Sequence, residues 1–242
     1  MIPLQDIPDK PLTVEIVLFS YGGFRGETHA SLVEELIGEN TINLISRGKY
    51  EPYLTHSYED ALISRSRSIA LSRFYKETDH DVCFMIDHDI SWQPGDIYNT
   101  AETANNLGVP VAGAYSLRKE GGICSSRLCE PQEIVVGTNK VLRAEYVSAG
   151  FLAIPREAVV KILEGPKKEQ DRQGLAVWEC LMNPAGLTFW DFFRPLVVPS
   201  RIVKGAHEYL SEDWAFCERA SARGVGPYLY LGPRRIHHGS HA

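Results

Sequence analysis

The chain reads as an α/β protein built around a mainly parallel sheet, and three observations predict it. Val82–Ile86 is a wholly apolar run that stops abruptly at Asp87, the pattern of a strand buried on both faces. Segments of helical periodicity separate such runs through the first half of the chain, as βαβ units require. Glycines stand where the helices should end.

The elements follow in order. Thr13–Phe19 is β-rich and leaves the sheet through Ser20-Tyr21-Gly22-Gly23. Thr28 is placed to cap a helix running to Ile37, with Gly38 as its stop. Asn40–Ile45 reads as a second strand and Tyr53–His56 as a short third. From Glu59 to Tyr75, Ala61, Leu62, Ile69, Ala70, Leu71 and Phe74 recur at helical spacing, and the helix carries Arg65 and Arg67. After the central strand, Asp96 can cap a helix to Leu107 that Gly108 terminates, and Val109–Tyr115 is another strand.

The second half is less regular. Val135–Leu142 and Arg143–Ser148 read as a hairpin, Ala149–Ile154 as a buried strand, and Pro155 opens a helix to Leu163. Residues 165–186 read as a polar, mobile loop, and Leu187–Phe193 is aromatic-rich. Ser211 can cap a helix from Glu212 to Arg223, with Gly224 at its end. A last strand, Tyr228–Leu231, leads to Ile236-His237-His238-Gly239.

At 242 residues the chain suits one domain, with 44% hydrophobic and 23% charged residues. The formal charge of −6 disfavours a broad grip on nucleic acid or anionic membrane. Five cysteines lack paired zinc-type spacing, and Cys83 and Cys217 lie in apolar settings, which suits a reduced, cytoplasmic protein. Met1–Leu12 has no signal-peptide pattern, and no apolar run is long enough to span a membrane.

The chemistry-bearing feature is Asp87-His88-Asp89. In parallel sheets ligands bind beyond the carboxyl ends of the strands, where these acids fall. On an extended chain Asp87 and Asp89 point the same way and can share one divalent cation or one phosphate–metal complex. Asp79-His80-Asp81 repeats the tripeptide before the strand, about 15 Å away, where a solvated loop is expected.

Several segments, taken together and in this order, resemble family-2-like glycosyltransferases of the GT-A fold. They are Ser66-Arg67-Ser68, Met85–Ile90, Pro94-Gly95-Asp96-Ile97, Ser148–Leu152, Ser211–Cys217 and His237-His238-Gly239. Ser68 departs from the asparagine of many relatives. The resemblance implies one GT-A domain over residues 1–242. Residues 13–115 would hold a nucleotide-diphosphate sugar, and residues 135–239 the acceptor and the catalytic groups, in a smaller mixed or antiparallel part.

By resemblance Asp87 contacts the ribose, His88 lies within the donor motif, and Asp89 binds Mn²⁺ or Mg²⁺. His237 or His238 is the second metal ligand, with Asp87 also in ligand range. Asp213 is the general base of an inverting transfer, with Glu212 as fallback, and retention stays open. Ser20 and Tyr21 hold the nucleotide base, Arg67 the diphosphate or the base, and Lys119 is a further phosphate candidate. Trp92 is expected in the core, and Trp190 could stack on a sugar. The acceptor is a hydroxyl, even one on a modified nucleic acid base. Alternative readings are a sugar-phosphate nucleotidyltransferase, of which Gly22–Gly26 is a faint echo, and a non-catalytic nucleotide-sugar or carbohydrate-binding module.

Overall fold

The computed structural model describes residues 10–20, 22–23, 25–58, 60–115, 126–129, 134–135, 141–164, 174–182 and 186–238. Its order is β1 (Leu12–Ser20), α1 (Gly26–Ile37), α2 (Glu39–Ser46), β2 (Tyr50–Tyr58), α3 (Ile63–Glu77), β3 (Val82–Asp87), β4 (Ile90–Ser91), α4 (Asp96–Leu107) and β5 (Val111–Tyr115). Then come β6 (Arg127–Leu128), β7 (Ile134–Val135), β8 (Val141–Tyr146), β9 (Phe151–Pro155), α5 (Arg156–Glu164), β10 (Glu179–Met182) and β11 (Leu187–Trp190). The chain closes with β12 (Leu196–Pro199), β13 (His207–Leu210), α6 (Glu212–Ser221) and β14 (Tyr228–His237).

The expected α/β class is the one the chain adopts. The main sheet runs β2-β1-β3-β9-β5-β14-β8-β6, and β10–β11 and β12–β13 are separate antiparallel hairpins. Strands β1, β2 and β3 are parallel, as are β5 and β14, while β9 lies antiparallel between β3 and β5. Alternation along β1 and β3 feeds two cores. Val17, Phe19, Cys83 and Met85 face α3, α5 and α6, whereas Ile16, Leu18, Phe84 and Ile86 face α4. Both faces are therefore covered, which accounts for the unbroken apolar run of β3.

Several local expectations shift. Residues 40–45 form helix α2, not a strand: Thr41 and Leu44, three apart, turn inward while Ile42 and Ile45 stay exposed. The β-branched residues suggested extension, and packing of one helical stripe overrides that preference. The third strand is longer than expected, with β2 pairing along its length from Leu12↔Tyr50 to Ser20↔Tyr58. Helix α3 starts at Ile63 because Asp60 accepts from Leu62 N and the Arg65 guanidinium. Asp96 stands one residue inside α4, with Gly95 (φ 88°) at the cap, while Gly108 (φ 64°) terminates the helix in the left-handed conformation as expected.

A hairpin forms here, but with other strands than expected: Ile134–Val135 (β7) pairs with Val141–Tyr146 (β8), so Val141 and Leu142 belong to the second strand, and residues 136–140 lie outside the described residues. Pro155 ends β9, so α5 opens at Arg156. Within 165–186, residues 179–182 are strand β10, paired with β11; residues 165–173 and 183–185 lie outside the described residues. Strand β14 runs on to His237, past an irregularity between Tyr230 and Arg235.

Candidate active site

The carboxyl ends of β1, β3, β5 and β14 meet at one edge, together with the start of antiparallel β9. Register alone brings Ser20, Asp87, Tyr115, Gly150 and His237 to this edge. A cavity of about 380 Å³ opens there, lined by Ser20, Asp87, His88, Asp89 and His237 among others.

Strand β3 stops at Asp87, and residues 88 and 89 form a turn before β4. Contrary to expectation, Asp87 and Asp89 therefore do not share one face of an extended strand; the turn and its anchors bring both acids to the cavity. Asp87 N donates to Gly150 O (3.0 Å) and His88 N to Phe19 O (3.0 Å). The His88 carbonyl accepts from Thr28 Oγ1 (2.8 Å) and Arg25 N (3.2 Å). Thr28, expected as a helix cap, instead fastens the acidic turn from inside α1, which begins at Gly26.

Arg67 organises the site. Its side chain is buried on α3, with the guanidinium 5.9 Å from the Phe19 ring centroid. It donates to both oxygens of Asp87 (2.8 and 2.9 Å) and to Glu212 Oε1 (2.8 Å). Burial opposes its charge, yet Asp87 and Glu212 outweigh that and raise its pKa above the ordinary value. This joins the first turn of α6 to the end of β3. Beside it, Asp213 Oδ1 accepts from Ser211 Oγ and from Trp214 N (2.8 Å).

Asp89 is almost fully buried, and its Oδ2 lies 3.4 Å from His237 Nε2. His238 turns elsewhere: its Nε2 is 2.7 Å from Ser91 Oγ and its Nδ1 is 3.9 Å from Glu27 Oε1. No group of three or more His, Cys, Asp or Glu side chains with metal-site geometry occurs among the described residues. Mg²⁺ and Mn²⁺ are commonly held by one or two protein groups, with substrate phosphates and water completing the shell. Asp89 and His237 fit that two-ligand arrangement. Four carboxylates (Asp87, Asp89, Glu212, Asp213) against one buried guanidinium also leave the site a net electrostatic demand for a cation.

Two contacts escaped the sequence reading, although one of them involves Gly150 of the Ser148–Leu152 segment already singled out. The Tyr115 hydroxyl is pushed up to about 12, first by burial and then by the charge of Asp87. Its ring packs edge-on against His237, centroids 5.6 Å apart. Gly150 makes room for both: a Cβ there would lie 2.5 Å from the Tyr115 hydroxyl and 3.0 Å from Asp87 Oδ2. Strand-end position was the available signal for each.

Ser20 Oγ lies 2.8 Å from His56 Nε2, so the expected base-binding serine is paired with β2, another partner the sequence did not suggest. Tyr21 and Lys119 lie outside the described residues. Trp92 is buried as expected, and Trp190 packs under Lys76, 4.3 Å from its Nζ. Asp81, at the far edge, accepts from Lys10 Nζ (2.7 Å), Thr13 N (3.0 Å) and Thr13 Oγ1 (2.8 Å).

No protein-family model and no curated protein sequence matches the chain. Among solved structures it is similar to A197 from STIV, at 18% identity and a TM-score of 0.52, over 94% of this chain and 86% of that one. GalNAc-T7, solved with UDP, GalNAc and Mn²⁺, gives 12% identity and a TM-score of 0.48, over 95% of this chain and 44% of that one. S. aureus TarS 1-349 in complex with UDP-GlcNAc gives 13% and 0.46, over 95% and 60%. The chain thus spans about half the length of these last two. The likeness to A197 speaks to the fold alone: the mixed sheet with its flanking helices.

Proposed function

We propose that the chain is a GT-A-type glycosyltransferase that moves a sugar from a nucleotide-diphosphate donor to a hydroxyl acceptor. The observation that carries this is the convergence of the Asp89–His237 pair and the Arg67-locked Asp87 on a single cavity at one sheet edge, with Arg67 also tied to Glu212 at the start of α6. The UDP-containing GalNAc-T7 and TarS structures fit this reading without carrying it.

Asp89 and His237 would hold Mn²⁺ or Mg²⁺, which when bound neutralises the charge that grows on the departing diphosphate. Asp87, fixed by Arg67, is directed to the donor, next to His88 and Ser20. Glu212 is committed to Arg67, so its role is to orient that guanidinium. Asp213, in the first turn of α6, is the acid left to take the acceptor proton. The Tyr115 hydroxyl stays protonated near neutral pH and acts as a donor beside Asp87.

The test is calorimetric titration of nucleotide sugars with and without Mn²⁺, followed by an assay for donor hydrolysis. Metal-dependent binding with slow hydrolysis is expected. Binding without any turnover would favour a non-catalytic module. Pyrophosphate release from a nucleoside triphosphate and a sugar phosphate would replace the proposal with a nucleotidyltransferase.

A further inference from the structure

Beyond Tyr230 the last strand loses and regains its register, and a buried arginine stands where it is regained. Tyr230 lies opposite Gly113 of β5 and Arg235 opposite Tyr115, so five steps along β14 answer two along β5. Such slack leaves the following segment free to pair in more than one register, because the ladder does not carry across the gap. Yet the end of β14 is sharply placed: Ile236 pairs with Ser91, His237 with Ile90, and His238 N donates to Asp89 O (2.7 Å).

Arg235 supplies the fixed point. It is 2% exposed, and its guanidinium lies over the rings of Tyr230 (5.2 Å) and Phe151 (4.7 Å), so it reaches back across the gap. Its Nη2 lies 3.4 Å from both Asp96 Oδ1 and Thr100 Oγ1 on α4. Gly113 leaves the space: a Cβ there would lie 2.4 Å from Arg235 Nε and 2.7 Å from Phe151 Cδ1. The arrangement is badly suited to stability alone. Arg235 Nε and Nη1 have no hydrogen-bond partner among the described residues, nor has Asp96 Oδ1, and replacing such a buried pair by hydrocarbon is often neutral or stabilising. What a charged plane between two rings adds is a unique position for the strand that carries it.

That position decides a chemical question, because two histidines are adjacent. In the register adopted, His237 Nε2 lies 3.4 Å from Asp89 Oδ2 and its ring packs on Tyr115, while His238 Nε2 lies 2.7 Å from Ser91 Oγ. A slip of one residue would turn His237 away and present its neighbour. We infer that Arg235 is a positioning residue: it locks the register of β14 after the gap and so selects His237 over His238 as the imidazole facing Asp89. The lock stands without any activity; its bearing on a metal rests on the transferase reading above.

Cross-linking in the full chain reads the register. Ile90→Cys is combined with His237→Cys or with His238→Cys, and closure in a glutathione buffer is mapped by mass spectrometry. Positions 90 and 237 are directly opposite on neighbouring strands, a spacing that a disulfide can bridge, so this pair should close about tenfold more than 90 with 238. Adding Arg235→Met/Asp96→Asn should bring the two pairs within about twofold, because either histidine position can then lie opposite residue 90. Both charges leave together, so no buried charge is stranded and thermal unfolding should stay near that of the parent. Arg235→Lys keeps a cation beside Asp96 but no plane between the rings, and should shift the ratio the same way. A ratio that neither variant moves would overturn the inference, as would equal closure of both pairs before Arg235 is changed. In the chain with its own histidines, substoichiometric Mn²⁺ should broaden the His237 imidazole resonances alone, and those of both histidines once Arg235 is replaced. If neither histidine broadens in either chain, the metal reading falls, and the cross-link ratio still decides the register.

Discussion

Asp-His-Asp occurs twice, at residues 79–81 and 87–89, and β3 separates the two copies. At the entry end His80 and Asp81 are spent on the fold and Asp79 is exposed. Asp81 is taken by Lys10 and Thr13, the His80 ring stacks on Tyr53 (3.9 Å), and its Nδ1 lies 2.8 Å from Glu15. The arginine there, Arg156, donates to the carbonyls of Phe74, Thr78 and His80, closing the carbonyl end of α3. At the exit end the arginine is Arg67, it binds carboxylates, and Asp87 and Asp89 face a cavity. The tripeptide does not determine its own chemistry. The end of the strand it occupies decides which elements arrive to use it.

The largest blow to this contrast is Arg67→Met. Removing one partner of a buried ion network leaves Asp87 and Glu212 without their cation and should cost about 3–5 kcal/mol in urea unfolding, with donor binding lost. A loss near zero would mean that the acids do not depend on Arg67. Next, Asp89→Ala should weaken Mn²⁺-dependent nucleotide-sugar binding by about a hundredfold or more, and Asp81→Ala by less than about threefold. Equal losses in calorimetry would erase the difference between the two ends.

How far the sequence disclosed this difference depended on what each signal encodes. Strand polarity was legible, because a both-faces-buried run ending in acids fixes which end carries chemistry; this placed Asp87 and Asp89 at the cavity and Asp81 away from it. Residues 40–45 were misread because three β-branched residues in six mimic a strand, while the stripe that makes α2 a helix is legible only against its packing partner. The Arg67–Glu212 pair, 145 residues apart in the chain, has no local trace at all. Tyr115 and Gly150 were marked by their strand-end positions, but their mutual approach with Asp87 across three strands was not.

The two ends should also titrate in opposite directions. Beneath the exit end, Glu35 is buried on α1, accepts from Gly95 N (2.8 Å) and is raised to about 7, first by burial and further by Asp96 of α4. Arg235 of β14 and the Tyr50 hydroxyl of β2 complete its titratable surroundings, and Arg235 lies 3.4 Å from Asp96. Its ordinary value is 4.5, so between 4.5 and about 7 the folded chain binds the proton that the unfolded chain releases. Stability therefore falls as pH rises through that window, and the cost is fully present above 7. Glu35→Gln keeps the acceptor for Gly95 and removes the ionisation. It should be about 2–3 kcal/mol more stable than wild type at pH 8 and nearly equal at pH 5. A gap independent of pH would show that Glu35 does not titrate in this way.

Asp81 at the entry end supplies the smaller, opposite slope. Burial pushes its carboxyl up, but hydrogen bonds from Lys10 and Thr13 more than offset this and hold it below its ordinary 3.8. The unfolded chain binds the proton first on acidification, so the stabilisation is present above 3.8 and is lost as pH falls through the depressed native value. Lys10 is largely exposed, which discounts its share to near nothing and leaves the Thr13 bonds as the main contribution. Asp81→Asn should therefore cost about 1 kcal/mol in urea unfolding at pH 7, and the gap should close as pH falls below the depressed native value. If the gap persisted in acid, the side chain would be stabilising through its shape instead of its charge. The entry copy would then be an amide-like turn residue, and its difference from Asp89 would be one of packing, with no electrostatic part.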